Sequence, residues 1–312
     1  HQQLLLDAKQ VSPTGDPAPR LTKMCSAFQL HSTKAALLRA IPRDIVRRAK
    51  DVERHRVKLL DIGPLDGPVL LFGGPYSNLH ALKALIAEAQ RRNIAPHNVI
   101  CTGDVVAYCG NPAETVSLIR KWGCHVIAGN CEEQLAAGAD DCGCGFEEGG
   151  VCDALSAEWF DFSNRLINDA ARTWMGALPQ FAAFSVAGTR YGVVHGGATE
   201  TSQFIWPGDD KSAEIATLEA ALGPIDVVIA GHCGLGFIED DWINAGVIGM
   251  PPNEGRSETE FCILDGGATL YRLNYDVAGA SAAMAGRATP YAEALMTGWW
   301  PSEDVLPDRL KR

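Results

Sequence analysis

Three short apolar runs, Val69–Phe72, Asn98–Cys101 and His125–Ala128, each give way to a glycine turn: Gly73-Gly74-Pro75, Gly103-Asp104 and Gly129-Asn130. Amphipathic helical periods follow the first two, over Asn78–Arg92, with Leu79, Leu82, Leu85 and Ile86 as its stripe, and over Pro112–Trp122. Strand, tight loop and helix repeated in this way specify βα units, and so parallel strands that carry polar residues at their carboxyl ends. Near residue 180 the pattern changes. Phe181–Val186 and Arg190–His195 read as a hairpin with Ala187-Gly188-Thr189 near its turn. A helix over Ser212–Leu222 and strands at Asp226–Ala230, Trp242–Ala245, Glu260–Leu264 and Thr269–Leu273 come after it. The shift from βα units to mainly β predicts two sheets packed face to face with helices outside.

With 46% hydrophobic residues in 312, the chain can bury one large core. Its net charge of −11 argues against nucleic-acid or anionic-membrane partners, which require a concentrated positive field. No apolar run approaches the roughly 20 residues that span a bilayer, so a soluble protein is expected. The ten cysteines do not resemble a small disulfide scaffold, and Cys101 and Cys262 lie inside apolar runs, which favours a reducing cytoplasm. Residues 1–32 read as a leader, disordered or left over from expression in part, with Met24 a natural start. Residues 33–66 read as a helical extension whose basic face includes Arg39, Arg43 and Arg47. The principal domain is expected over 67–275 and a helical tail over 276–312, with Trp299-Trp300-Pro301 a docked segment. Within the domain, 131–152 reads as a Cys-rich loop ahead of a helix over Asp153–Met175.

Asp104, Asn130, His195 and His232 each sit where an apolar β segment ends, in Gly103-Asp104, Gly129-Asn130, His195-Gly196-Gly197 and Gly231-His232. Together they would make one metal site with oxygen and nitrogen ligands. The ordered set resembles the calcineurin-like metallophosphoesterases, whose signature runs Asp-x-His, Gly-Asp, Gly-Asn-His-Asp/Glu, His and Gly-His-x-His. Longer stretches extend the likeness: Ser77-Asn78-Leu79-His80-Ala81-Leu82, Gly103 to Tyr108 with Asn111-Pro112, and Asn244 to Pro251. The resemblance covers about 69–273 and implies a four-layer αββα sandwich of two mixed β-sheets.

The departures are as specific. The resemblance assigns one metal to Asp104, Asn130, His195 and His232, a complete set for Fe, Mn or Zn in a divalent or trivalent state. The family's other metal would fall to Gly74, Tyr76, Asp104 and Gly234, so three of its four ligands are missing. Cys131 replaces the family's proton-donating His, with Glu132 beside it; Cys131 and Glu132 are expected to line the phosphate site and Tyr76 to occupy the altered half. Thiolates of Cys131, Cys142, Cys144 and Cys152 could hold a second metal or an iron–sulfur cluster. The Cys-x-Cys-x₇-Cys spacing is not that of a zinc ribbon, and free or disulfide-linked thiols are the alternative. The resemblance implies a metal-dependent phosphoesterase that hydrolyses a phosphomonoester or phosphodiester, on a small substrate or a phosphoprotein, by metal-activated water. The missing ligands leave a second reading open, a non-hydrolytic metal-binding, redox or regulatory protein that uses the Cys-rich loop.

Overall fold

Val69, Leu71, Ile100 and Ile127 point one way from their strands and meet Ala182, Phe184, Val193, Ile229 and Ile243 arriving from the other direction. This apolar layer is the centre of the protein, seen here as a computed structural model that describes residues 57–146, 149–287 and 289–312. Five strands form one sheet among the described residues. β2 (Val69–Phe72), β3 (Val99–Cys101) and β4 (His125–Val126) are parallel neighbours, while β10 (Thr259–Leu264) runs antiparallel beside β2 and β11 (Ala268–Leu273) antiparallel beside β10. Six strands form the other, in the order β1 (Leu59–Pro64), β5 (Phe181–Val186), β6 (Thr189–Val193), β7 (Val227–Ala230), β9 (Trp242–Ala245) and β8 (Gly236–Ile238). Both sheets mix parallel and antiparallel pairs, as expected.

All four residues of β2 are buried. Side chains alternate across a strand, so Val69 and Leu71 fill the space between the sheets. Leu70 and Phe72 face outward to Leu82 and Leu85 of α1 (Leu79–Arg91) and Ile119 of α2 (Pro112–Trp122). Burial on both faces accounts for the unbroken apolar run. Beyond the second sheet, Val228, Ala230 and Trp242 pack with Leu218 of α6 (Ser212–Leu222). Helix, sheet, sheet and helix are the four layers expected.

The turn of the β5–β6 hairpin consists of Ala187 and Gly188, both at positive φ (50° and 90°). Such a pair matches the twist of the strands it joins.

Three expectations need correction. The leader, and the helical extension as far as residue 56, lie outside the described residues; from Leu59 to Pro64 the chain is β1, a half-exposed strand parallel to β5. The loop expected over 131–152 begins as α3 (Asn130–Ala137). The single helix expected over Asp153–Met175 is two, α4 (Val151–Leu166) and α5 (Asp169–Met175). Ile167 is extended, and the Asn168 side chain caps the new helix by accepting the Ala171 N–H at 2.9 Å. The short β8 had no apolar run to announce it. The tail carries α7 (Val277–Met284) and α8 (Thr289–Thr297), and beyond them, among the described residues, only a 3-10 turn at Asp308–Leu310. No helix among the described residues is long and apolar enough to cross a membrane.

Candidate metal centre

The four predicted ligands come together. Asp104 follows β3 and Asn130 follows β4 on one sheet; His195 follows β6 and His232 follows β7 on the other. Glycine lets the loops meet. A Cβ on Gly103 would lie 2.6 Å from the Gly129 backbone nitrogen, and one on Gly129 would lie 2.3 Å from Asp104 Oδ1. No larger residue leaves room for that approach.

Hydrogen bonds fix the direction of each ligand. His195 Nδ1 donates to the Thr102 carbonyl at 2.6 Å, which leaves Nε2 with its lone pair facing inward. Asn130 Nδ2 donates to the Cys142 carbonyl at 2.9 Å, so its oxygen turns to the centre. The Cys131 N–H donates to Asp104 Oδ1 at 3.2 Å and leaves Oδ2 for the histidines. His195 Nε2 then stands 3.1 Å from Asn130 Oδ1, 3.1 Å from His232 Nδ1 and 3.3 Å from Asp104 Oδ2. All four atoms are electron-pair donors. What satisfies them together is a cation, either a proton on His195 or a metal ion.

The electrostatics agree. Burial opposes charge on His195, yet the Asp104 carboxylate holds its pKa above the ordinary value. Burial, and then the charge of His195, pushes His232 down to about 3. Burial also works against the Asp104 carboxylate, but His195 and then His232 keep its pKa low. Two imidazoles, a carboxylate and an amide oxygen suit a borderline transition metal such as Zn, Fe or Mn. Asp104, His195 and His232 are also the one His/Cys/Asp/Glu group among the described residues whose donor atoms lie within 4.8 Å of one another.

The residues present do not fit a second metal. Tyr76 stands against Gly74. A Cβ on Gly74 would lie 2.4 Å from the Tyr76 ring, so the phenol fills the volume that a ligand at position 74 would need. A Cβ on Gly234 would lie 3.0 Å from the Trp300 indole. Trp300 is held there by its indole N–H to the Pro251 carbonyl (2.7 Å) and its backbone N–H to Asn253 Oδ1 (2.8 Å). Metal analysis of the purified protein should therefore find one ion per chain. The triple variant Gly74→Asp, Tyr76→His, Gly234→His should gain a second only when Trp300→Ala is added; two ions in the unaltered protein would contradict this.

Cys131 and Glu132, expected to line the phosphate site, are not among the residues that line the pocket opening on His232 and Tyr76. Cys131 is 1% exposed and packs into the apolar core, where burial and then Asp104 hold its thiol well above the ordinary range. Glu132 is fully buried. It accepts the N–H groups of Asp104 (2.7 Å), Val105 (2.9 Å) and Gly129 (3.0 Å), tying the Asp104 loop to the start of α3. Burial, then the nearby Asp104 charge, raises Glu132 to about 7.

The thiols do not assemble a cluster either. Cys142 and Cys144 form a disulfide with each other. Cys131 is in the core, and Cys152 lines the pocket that opens on His232, beside Ser302. The histidines read as structural behave so where described: His125 Nε2 donates to the His97 carbonyl at 3.2 Å, and His80 faces Asp276 at 3.4 Å. Sequence reasoning missed Thr102, which orients His195 with a backbone carbonyl, a role with no side-chain signal. It also missed Trp300 as a wall of the site, although the Trp-Trp-Pro segment was legible as one that docks.

The description of the calcineurin-like phosphoesterase superfamily domain matches residues 74–267, a span that holds all four ligands. An uncharacterized protein of Methanocaldococcus jannaschii is 22% identical over 234 residues, 65% of this chain and 85% of that protein. A metallophosphoesterase from Sphaerobacter thermophilus has a similar structure: TM-score 0.55 at 20% identity, over 75% of this chain and 100% of that one. A hypothetical protein from Pyrococcus horikoshii OT3 gives 0.61 at 16% identity, over 76% and 100%. At these identities the two structures speak to the fold alone, and they agree with the two mixed sheets described above.

Proposed function

Since this chain belongs to the calcineurin-like phosphoesterase superfamily, we propose that it is a metal-dependent phosphodiesterase working with one metal ion. The observation that carries the reading is the convergence of Asp104, Asn130, His195 and His232 on a single point through electron-pair donors alone. A metal held there would supply Lewis acidity, drawing charge from a phosphoryl oxygen and acidifying a water beside it.

The chain's own residues set what such a centre can use. Burial, then the charge of Asp104, raises the Tyr76 phenol well above its ordinary range, so it remains protonated. It can donate a hydrogen bond to a phosphoryl or leaving-group oxygen on the side where the family's other metal would stand. Cys131, unlike Tyr76, does not line the pocket. The pocket that opens on His232 and Tyr76 is lined by no Lys, Arg, Asp or Glu. A phosphomonoester brings two negative charges at neutral pH and a diester one. With no cationic side chain in the pocket, the diester is the better match.

The metal-loaded protein should therefore hydrolyse bis(4-nitrophenyl) phosphate about tenfold or more faster than 4-nitrophenyl phosphate, in kcat/KM. Dialysis against a chelator should abolish both activities and re-addition of Mn, Zn or Fe should restore them. Absence of turnover on either ester with a full complement of metal would refute the reading. The proposed substrate is a small phosphodiester, and the acidic net charge and uncharged pocket favour neither nucleic acid nor a membrane as partner.

A further inference from the structure

The volume vacated by the missing metal ligands has become a pocket with aromatic walls. Tyr76 and Trp300 stand over Gly74 and Gly234. Tyr108 sets its edge on Tyr76 at 4.8 Å and stacks on Tyr291 at 4.5 Å. Phe204 lies against the His232 ring at 4.5 Å, and Phe146 stacks on Phe204 at 6.3 Å. These six rings line one pocket, and His232, a predicted metal ligand, opens into it. Tyr76 is 4% exposed, yet its hydroxyl has no hydrogen-bond partner among the described residues, nor has that of Tyr108. A hydroxyl in a pocket wall with no protein partner is available to a ligand.

Building on the phosphodiesterase reading, we infer that this pocket holds the organic half of the substrate and that this half is an uncharged aryl group. The walls bear no ionic side chain, which disfavours a charged substituent. They are aromatic rather than aliphatic, with ring edges and faces both presented, an arrangement suited to edge-to-face contact with a further ring. The free hydroxyls of Tyr76 and Tyr108 supply the polar contacts that orient it. Trp300 is pinned by two hydrogen bonds and Tyr108 is packed between Tyr76 and Tyr291, so the walls are set before a ligand arrives.

The test is binding rather than turnover, with two monoanions that carry their organic groups on P–C bonds only, hence have no ester to hydrolyse, and differ in one group: methyl(phenyl)phosphinate and ethyl(methyl)phosphinate. Isothermal titration of the metal-loaded full chain should show the phenyl compound binding about tenfold or more tightly. Tyr291→Ala should remove most of that preference while leaving the affinity for the ethyl compound and the metal content unchanged. Tyr291→Leu, which keeps apolar volume, should give the same result if the first variant folds poorly. Equal affinities for the two probes, or an equal loss for both in the Tyr291 variants, would overturn the inference. A protein that prefers the phenyl probe but hydrolyses no ester would refute the phosphodiesterase reading and leave the aryl pocket standing. One that hydrolyses diesters without any phenyl preference would do the reverse.

Discussion

Replacing His195 by alanine should remove the metal and the hydrolytic activity together. His195 Nε2 is the hub of the centre, within 3.3 Å of a donor atom on each of the other three ligands. Its other ring nitrogen spends its proton on the Thr102 carbonyl, so no rotation of a neighbouring side chain replaces the lost lone pair. Even outer partners of metal ligands cost about 10–100-fold in metal affinity when removed, and a direct ligand costs more. Losing Lewis acidity worth several kcal/mol in the transition state then lowers kcat/KM by about 10³-fold. Metal per chain and diesterase activity, measured on the same preparation, should fall in step. A His195→Ala protein that keeps a full equivalent of metal, or loses less than about tenfold in rate, would show that the four donors do not form the working site.

The ligands were legible because each one ends a strand, and the strands were legible because burial on both faces makes an apolar run stand out. β2, β5 and β9 coincide with such runs, and the glycines beside Asp104 and Asn130 mark where loops must pass closely. β1 was hidden by its composition: half-exposed, interrupted by Asp61 and closed by Gly63-Pro64, it lacks the period of a strand. The helix at Asn130 was hidden because its first residues carry chemistry, and reading them as site residues obscured their role as a helix start. Nearness in sequence misled for Cys131 and Glu132, which adjoin Asn130 but are buried and do not line the pocket. The refilled metal site depends on distance along the chain. Gly74 and Tyr76 are near neighbours, and the loss of ligands there could be read directly. That Trp300 closes over Gly234 follows only when the tail docks.

The second large effect concerns stability rather than chemistry, and it belongs to Glu132. Its two oxygens accept three backbone N–H groups at 2.7–3.0 Å and a fourth, from Val106, at 3.4 Å. This carboxylate is fully buried. Glu132→Ala would leave at least three buried donors without acceptors, each costing about 1–3 kcal/mol. Against this stands relief from holding a charge that burial and Asp104 both oppose, as the rise of its pKa to about 7 shows. The donors outnumber that relief, and a net loss of about 3–5 kcal/mol is expected, a large share of the roughly 5–15 kcal/mol that holds a domain folded. Glu132→Gln keeps one acceptor oxygen and removes the charge, but it turns an NH₂ group toward two N–H donors. It should cost about half as much. Because the same bonds position the Asp104 loop, both variants should also lose metal affinity, by about 10–100-fold. Urea unfolding of the metal-free proteins followed by metal titration separates the two effects. A Glu132→Ala protein within about 1 kcal/mol of the unaltered chain would mean that the amides find other partners, and that Asp104 is held by its own loop.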